Sequence, residues 1–416
     1  MKHTLYGDGI HDDTAAIQEL IDSGIREVAL PSPEKFYLIS KSLVLPSNFR
    51  LVLPRFAEIK LAANSNCVMV KNKMIPDYAK RMDDDVYELP LTAHLWGYVD
   101  DYSPDAPCEN IELCGGIWNC NNMEQIPNPE QSKNFSVREF YGCGMLFYNV
   151  KNFKICDLTV KDPSQYAITL DKVSYFTVEG ITFDFNKGNP YPINMDGIHV
   201  DGNCHHGVIR NLKGTCYDDL VALNAHEGSR GDITNIDISD IYADYCHSAV
   251  RLLLVRQNIS NIRISNIYGN FYQYCIGFTK FYPGETEGSF DAISIDNIFA
   301  AKALTSKMGE ISFYKSAPMN SRRLIWIQKG TVVNSLSVSH WHRREKTLPQ
   351  ELICIDDGAL VNRMILSDIT AENCTDREMP LMCNMGTIKY LATADLCSGN
   401  GSVIVNKGII EKHIER

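Results

Sequence analysis

Along most of the chain, apolar and polar residues alternate in short runs, and each run ends in a turn. Residues 27–30, 36–40, 42–45, 50–53, 58–61 and 68–70 are apolar runs that alternate with turns and fit no helical period, so they read as short strands. From residue 150 the runs become copies of one another. Asn152 to Leu158, Tyr175 to Ile181, Asn235 to Ile241, Asn261 to Ile267, Ala292 to Ile298 and Asn362 to Ile369 share an x-apolar-x-apolar core, and a degenerate copy at residues 207–212 fills the longest gap. A repeat of about 22 to 31 residues is the signature of a solenoid. Copies rich in Ile and Val, with no room for long helices, predict a β-solenoid whose coils each hold three short strands and three turns. Asn and Asp recur at the turn positions, where they tolerate tight conformations. After residue 300 the pattern loosens. Residues 312–315, 324–328, 336–339 and 352–356 still read as strands, residues 402–410 as a closing strand, and Trp341-His342-Arg343-Arg344 as a solvated turn face.

The one helical period stands near the start. Asp12 or Asp13 is placed to cap a helix, and Ala16, Ile17, Leu20 and Ile21 form its apolar stripe. Asp8, Asp12 and Asp13 read as turn and cap residues rather than as a metal site. The order Gly7-Asp8-Gly9, Asp12-Asp13-Thr14, Ala16-Ile17-Gln18 resembles the N-terminal signature of pectate-lyase-type right-handed β-helix proteins. That resemblance implies an all-β fold: a single-stranded right-handed parallel β-helix, pectin-lyase-like, with an N-terminal capping helix.

No linker of Gly/Ser or Pro/Ser type interrupts the chain, so residues 1–416 are expected to form one domain. Its cap region is 1–30 and its C-terminal coil 385–416. Two stretches break the strand pattern. Residues 72–107 are acidic, carry four prolines, and include Tyr78, Tyr87, Trp96, Tyr98 and Tyr102; residues 118–142 include Trp118, Phe135, Phe140 and Tyr141. Both are expected to be ordered loop excursions walling one end of a groove.

Composition narrows the function classes. A net charge of −11 disfavours nucleic-acid binding, which needs a basic surface. No run of about 18 apolar residues exists to cross a membrane. The 14 cysteines form no CxxC pair, so they read mostly as small buried residues, with neither a zinc site nor a disulfide framework expected. The first residues hold no signal-peptide core. The expected location is cytoplasmic if Met1 is the native start, and secreted or periplasmic if a signal peptide was removed. Oligomeric state is not legible.

The chemistry gathers between residues 194 and 280. Asn194-Met195-Asp196-Gly197-Ile198-His199 and Tyr217-Asp218-Asp219 are polar knots, each followed by an apolar alternation. Asp196 and Asp218 stand 22 positions apart, one short coil, and His247 and Lys280 follow in later coils. Two carboxylates bracketing a glycosidic oxygen and a water are what an inverting glycosidase requires, and crowding like charges keeps one of them protonated. Strand parity adds a condition. Asp196 shares parity with Ile198 and Val200, and Asp219 with Val221 and Leu223, so bends at Gly197 and after the Asp pair are needed to expose the acids.

The same residues resemble glycoside hydrolase family 28, the polygalacturonases, marked in order by Asn-Thr-Asp, Asp-Asp, Gly-His-Gly and Arg-Ile-Lys. Here the matching positions are Asn194-Met195-Asp196, Asp218-Asp219, Cys246-His247-Ser248 and Phe278-Thr279-Lys280. The resemblance implies Asp218 as general acid, Asp196 and Asp219 as the acids that hold and deprotonate water, and His247 as a tuning or substrate-contacting group. It implies Lys280 in substrate binding. Asn194, His199, Asn224, His226 and Arg251 complete the expected substrate-binding set. Phe278 stands where the family has Arg, and Arg251 or Arg256 is the candidate replacement; Lys alone lacks the bidentate fork. His199 stands where the family often has Asp. The expected activity is hydrolysis of an O-glycosidic bond in a poly- or oligosaccharide, with no metal or cofactor and a carbohydrate as partner. Two alternatives keep the same fold. In a polysaccharide lyase the three acids would hold Ca²⁺; a tailspike-like β-helix would bind carbohydrate without cleaving it.

Overall fold

The computed structural model describes residues 3–73, 106–125, 143–185, 195–282, 287–304 and 322–415. Apart from the helix Thr14–Ile21 and a short 3-10 turn at Asn122–Glu124, its described elements are parallel β-strands, and the fold is a right-handed parallel β-helix. The chain forms two compact units. One comprises 1–208 with 212–217 and 227–229; the other comprises 209–211, 218–226 and 230–416.

In the first unit, Phe49–Val52, Cys108–Cys114, Val150–Cys156 and Ser174–Asp184 pair in succession, as do Met145–Tyr148, Ile168–Asp171 and Ile198–Asp201. The register stacks Ile111, Phe153 and Phe176 in one interior row. Asn48, Asn110 and Asn152 line a turn with left-handed backbones (φ 59°, 56° and 60°), and their side-chain amides bond along the stack at 2.7 Å each. This is the expected role of the recurrent asparagines: a conformation other residues resist, joined by a hydrogen-bonded ladder. Cys114 and Cys156 face each other in register and are joined by a disulfide, which the cysteine spacing did not anticipate. Of the other described cysteines, only Cys374 and Cys397 are exposed, in line with their reading as buried residues.

The helix covers the first coils with Ala16, Ile17 and Ile21 buried; Leu20 is half-buried. Asp12 accepts the Thr14 amide at 2.8 Å. Asp13 is fully buried and accepts the amides of Tyr6, Gly7 and Leu38. Asp8 closes a turn through the Ile10 and His11 amides. The acids of the opening stretch are therefore structural, as expected, but Asp13 at the N-cap makes no side-chain cap bond and ties Tyr6, Gly7 and Leu38 together instead.

In the second unit, Asp219–Asn224, the end of Ile233–Leu253, the end of Ile259–Thr279, Ile325–Ile327, Ile353–Ile355, Met382–Asn384 and Ile404–Asn406 form one ladder. Val221, Val250, Ile276, Ile325, Ile353 and Met382 occupy one interior row of it; Leu223, Leu252, Phe278, Ile327 and Ile355 occupy another.

Three expectations change. Trp118, assigned to a loop excursion, lies in the strand Ile117–Asn119 and is fully buried between the rows of Ile59 and Val160. Trp341 to Arg344 are not a turn but part of the strand Leu336–Glu345, where Trp341 and Arg343 are buried. Arg343 is satisfied there by Glu345 and by the carbonyls of Leu348 and Gln350. The closing region holds two strands, Ile404–Asn406 and Ile409–Glu415. Residues 74–105 and 126–142 of the two excursions, residues 312–315 and Asn194 lie outside the described residues.

Candidate active site

In the second unit the site is built where the strands Asp219–Asn224, Ile233–Leu253 and Ile259–Thr279 run side by side. Their register places Asp219, Ser248 and Tyr274 on one level. Asp219 is fully buried. Its Oδ1 accepts the Tyr274 hydroxyl at 3.0 Å, and its Oδ2 lies 3.0 Å from Arg251 Nε. Arg251 pairs in register with Ala222, and its long side chain reaches back to the acid. Burial and the Asp219 charge push the Tyr274 hydroxyl well above its usual range, so it donates and does not ionise. Asp218, one residue earlier, keeps a partly exposed carboxyl, 14% accessible against 0% for Asp219.

His247 is the third member. Its Nε2 stands 4.0 Å from Asp218 Oδ1, and its ring is almost fully buried. Burial lowers its pKa to about 3; the hydrogen bond to Gln273 opposes this, while Lys302 and Arg251 add to it. The ring is therefore a neutral hydrogen-bonding group. Gln273 also accepts the Ser248 hydroxyl at 3.1 Å. Beneath it the buried Lys302 ammonium donates to the carbonyls of Tyr272, Gln273 and Arg322. Gln273 and Tyr274 carry no sequence motif; only strand register assigns them to this level.

Lys280 is not brought to this level. It follows Thr279, six residues past Tyr274, which is about 20 Å along an extended strand. Phe278 explains the mismatch: it fills the interior row between Leu252 and Ile327, so it is a core residue and not a replaced arginine. His226 lies toward the same far end, its Nδ1 3.1 Å from Gln257 Oε1 and its ring 5.0 Å from Tyr282. Asn224, expected at the substrate, is fully buried in register with Leu253.

The first unit holds a second cluster. Asp196 precedes the strand Ile198–Asp201 across the expected bend at Gly197, but the bend does not expose it: the carboxyl is fully buried. His199 does not face solvent as a substrate ligand. It is buried and stacked on Tyr166, with centroids 3.7 Å apart and planes 8° off parallel. Its Nδ1 meets Asp196 Oδ2 at 2.8 Å, while its Nε2 faces Asp201 Oδ1 at 3.2 Å and Glu227 Oε2 at 3.1 Å. Burial alone would strip the ring of its proton, but Asp201, with the hydrogen bonds to all three carboxylates, outweighs it and raises its pKa well above the ordinary value. Burial raises the Asp201 carboxyl as well. His199, Asp201 and Glu227 each offer a metal-ligand atom within 4.8 Å of the others. A cavity of about 520 Å³ lined by Lys151, Lys172, Asn203 and His205 contains none of these carboxylates.

Residues 114–248 match the family model of glycosyl hydrolases family 28. The resemblance read from the sequence is borne out. The family 28 match takes in Asp196, His199, Asp218, Asp219 and His247, and ends before Arg251 and Lys280. No curated protein matches the chain. Among solved structures it is similar to an endo-xylogalacturonan hydrolase from Aspergillus tubingensis (TM-score 0.56, 14% identity, 97% of this chain and 98% of that one). It is also similar to a family 28 exopolygalacturonase from Yersinia enterocolitica (0.54, 14%, 100% and 77%). A hyperthermoactive exopolygalacturonase from Thermotoga maritima follows (0.50, 12%, 87% and 85%). At such identities these likenesses show the shared fold. No helix among the described residues is long and apolar enough to cross a membrane.

Proposed function

We propose that this protein is an inverting glycoside hydrolase acting on a poly- or oligosaccharide, with Asp218 as general acid. The carrying observation is the unequal setting of two adjacent carboxyls. Asp218 is partly exposed, with neutral His247 at 4.0 Å, while Asp219 is buried against Arg251 and the Tyr274 hydroxyl. Carboxyls in contrasting environments divide acid and base roles. Asp219, which accepts the Tyr274 hydroxyl and lies against the Arg251 cation, is suited to remain ionised and to take a proton from water. Asp196 is assigned to share that task on its motif alone, within the stretch matched by family 28. Lys280 drops out of the proposed machinery, and Arg251 is the cation beside Asp219.

The test is a glycan panel that includes polygalacturonate and xylogalacturonan, with the product anomer followed by NMR. Asp218→Asn should lower turnover by about 10²- to 10⁴-fold, the usual worth of a general acid, with an unchanged circular dichroism spectrum. Wild-type activity in that variant, or an unsaturated UV-absorbing product lost in chelator, would overturn the proposal; the latter would indicate a lyase.

A further inference from the structure

We propose that His199 Nε2, Asp201 and Glu227 form a site for one divalent transition cation, Zn²⁺ or Mn²⁺, held behind Asp196. The site goes beyond the hydrolase proposal and does not depend on it.

Four features support it. First, the two ring nitrogens are not equivalent. Nδ1 makes one short contact to Asp196 at 2.8 Å, whereas Nε2 faces two carboxylate oxygens at once, at 3.1 and 3.2 Å. A single N–H cannot point along both, but a cation between the three atoms can be bound by all of them. Second, a carboxylate accepting the far ring N–H is the usual outer partner of a metal-bound histidine; it fixes the tautomer and the ring orientation. Asp196 is that partner here, and Tyr166 holds the ring plane. Third, among the described residues Asp201 Oδ2 is buried and has no hydrogen-bond partner. A second carboxylate oxygen turned away from every donor is costly unless a cation engages it. Fourth, Gly228 packs so closely on Asp201, at φ +57°, that a Cβ would lie 2.5 Å from the carboxyl carbon. A side chain at 228, the neighbour of Glu227, would therefore displace the Asp201 carboxylate.

The donor set, one imidazole and two carboxylates, suits Zn²⁺ or Mn²⁺. Glu227 retains 17% side-chain exposure and marks an entry side. Cation binding at Nε2 displaces the proton held there in the metal-free cluster, and that proton leaves to solvent.

The experiment uses the full chain dialysed against chelator, then titrated separately with Zn²⁺ and Mn²⁺ by calorimetry, with bound metal counted by elemental mass spectrometry. One cation per chain is expected. Glu227→Gln should weaken binding by about tenfold or more, and Asp201→Asn should abolish it. Asp218→Asn should bind as the wild type does. Glu227 is partly exposed, so its variant keeps the test open if Asp201→Asn fails to fold. Absence of stoichiometric binding by the wild type would overturn the site and leave His199 as a buried imidazolium. Binding unaffected by Glu227→Gln and Asp201→Asn, or lost only in Asp218→Asn, would place the ion elsewhere and equally overturn it. Because binding is read without turnover, an inactive protein that binds the cation would refute only the hydrolase proposal.

Discussion

Asp218 and Asp219 are neighbours in sequence with opposite surroundings, and the difference comes from their strand partners. Asp219 shares a level with Tyr274 and lies within reach of Arg251. Asp219→Asn should therefore damage both turnover and packing, removing the carboxylate that lies 3.0 Å from the Arg251 cation. Loss of thermal stability in this variant, beside an unaltered melt in Asp218→Asn, is the expected contrast in a melting experiment. His247 makes a pH prediction. Its folded pKa is depressed to about 3 from 6.5. The unfolded state takes up a proton that the folded state refuses, so its contribution to stability is whole above about pH 6.5 and is lost as pH falls toward 3. Melting temperature should decline through that window, and more shallowly in His247→Gln. An identical pH slope in wild type and variant would refute the assignment. The motif residues Asp196, Asp218, Asp219 and His247 were legible because short polar knots interrupt an apolar alternation. Lys280 was misplaced by counting. The step from Ser248 to its neighbour leads to Tyr274, and register shifts between Ala243 and Ser248 alter the level of everything that follows.

At the scale of the element, stacked turns and buried pairs carry the coils. Asp240, Asn266 and Asn297 repeat the asparagine ladder in the second unit, with φ of 59°, 58° and 55° and side-chain bonds of 2.9 and 2.8 Å. Asn266→Ala removes both bonds and forces Ala into a left-handed backbone. A loss of about 1–3 kcal/mol is expected in chemical denaturation, with Asn266→Gly recovering the backbone part. Tyr242, Tyr268, Phe299 and His342 stack above one another at 4.9–5.2 Å on the same unit. The Arg343–Glu345 pair is fully buried. Removing one partner strands the other, so Arg343→Met should cost about 3–5 kcal/mol, while Arg343→Met with Glu345→Met should cost markedly less. The sequence read this segment as a solvated face because two arginines and a histidine dominate it. Only the carbonyls of Leu348 and Gln350, and Glu345 beside them, show how a buried guanidinium is satisfied.

At the scale of the whole molecule, a β-helix must finish its first coil with something other than an open edge, since unpaired strand backbones recruit other chains. The helix Thr14–Ile21 and the Asp13 carboxylate do this work. Asp13 satisfies three backbone amides from two separate segments. Asp13→Ala orphans them together and should destabilise the protein by several kcal/mol, with aggregation appearing below the wild-type melting temperature. An unshifted melt would show that the cap is held by its apolar face alone. The sequence by itself determined the fold class, the capping helix and most strand positions, because a period of two and a repeated coil are local properties of the chain. It also determined which acids are candidates, because each interrupts that local pattern. Only the tertiary structure decided which side chains share a level: that Gln273 and Tyr274 join the acids, that Lys280 does not, and that His199 faces carboxylates instead of solvent. Levels depend on the exact length of every intervening coil and on its bulges, so one residue more or less moves a side chain to the other face or along the strand.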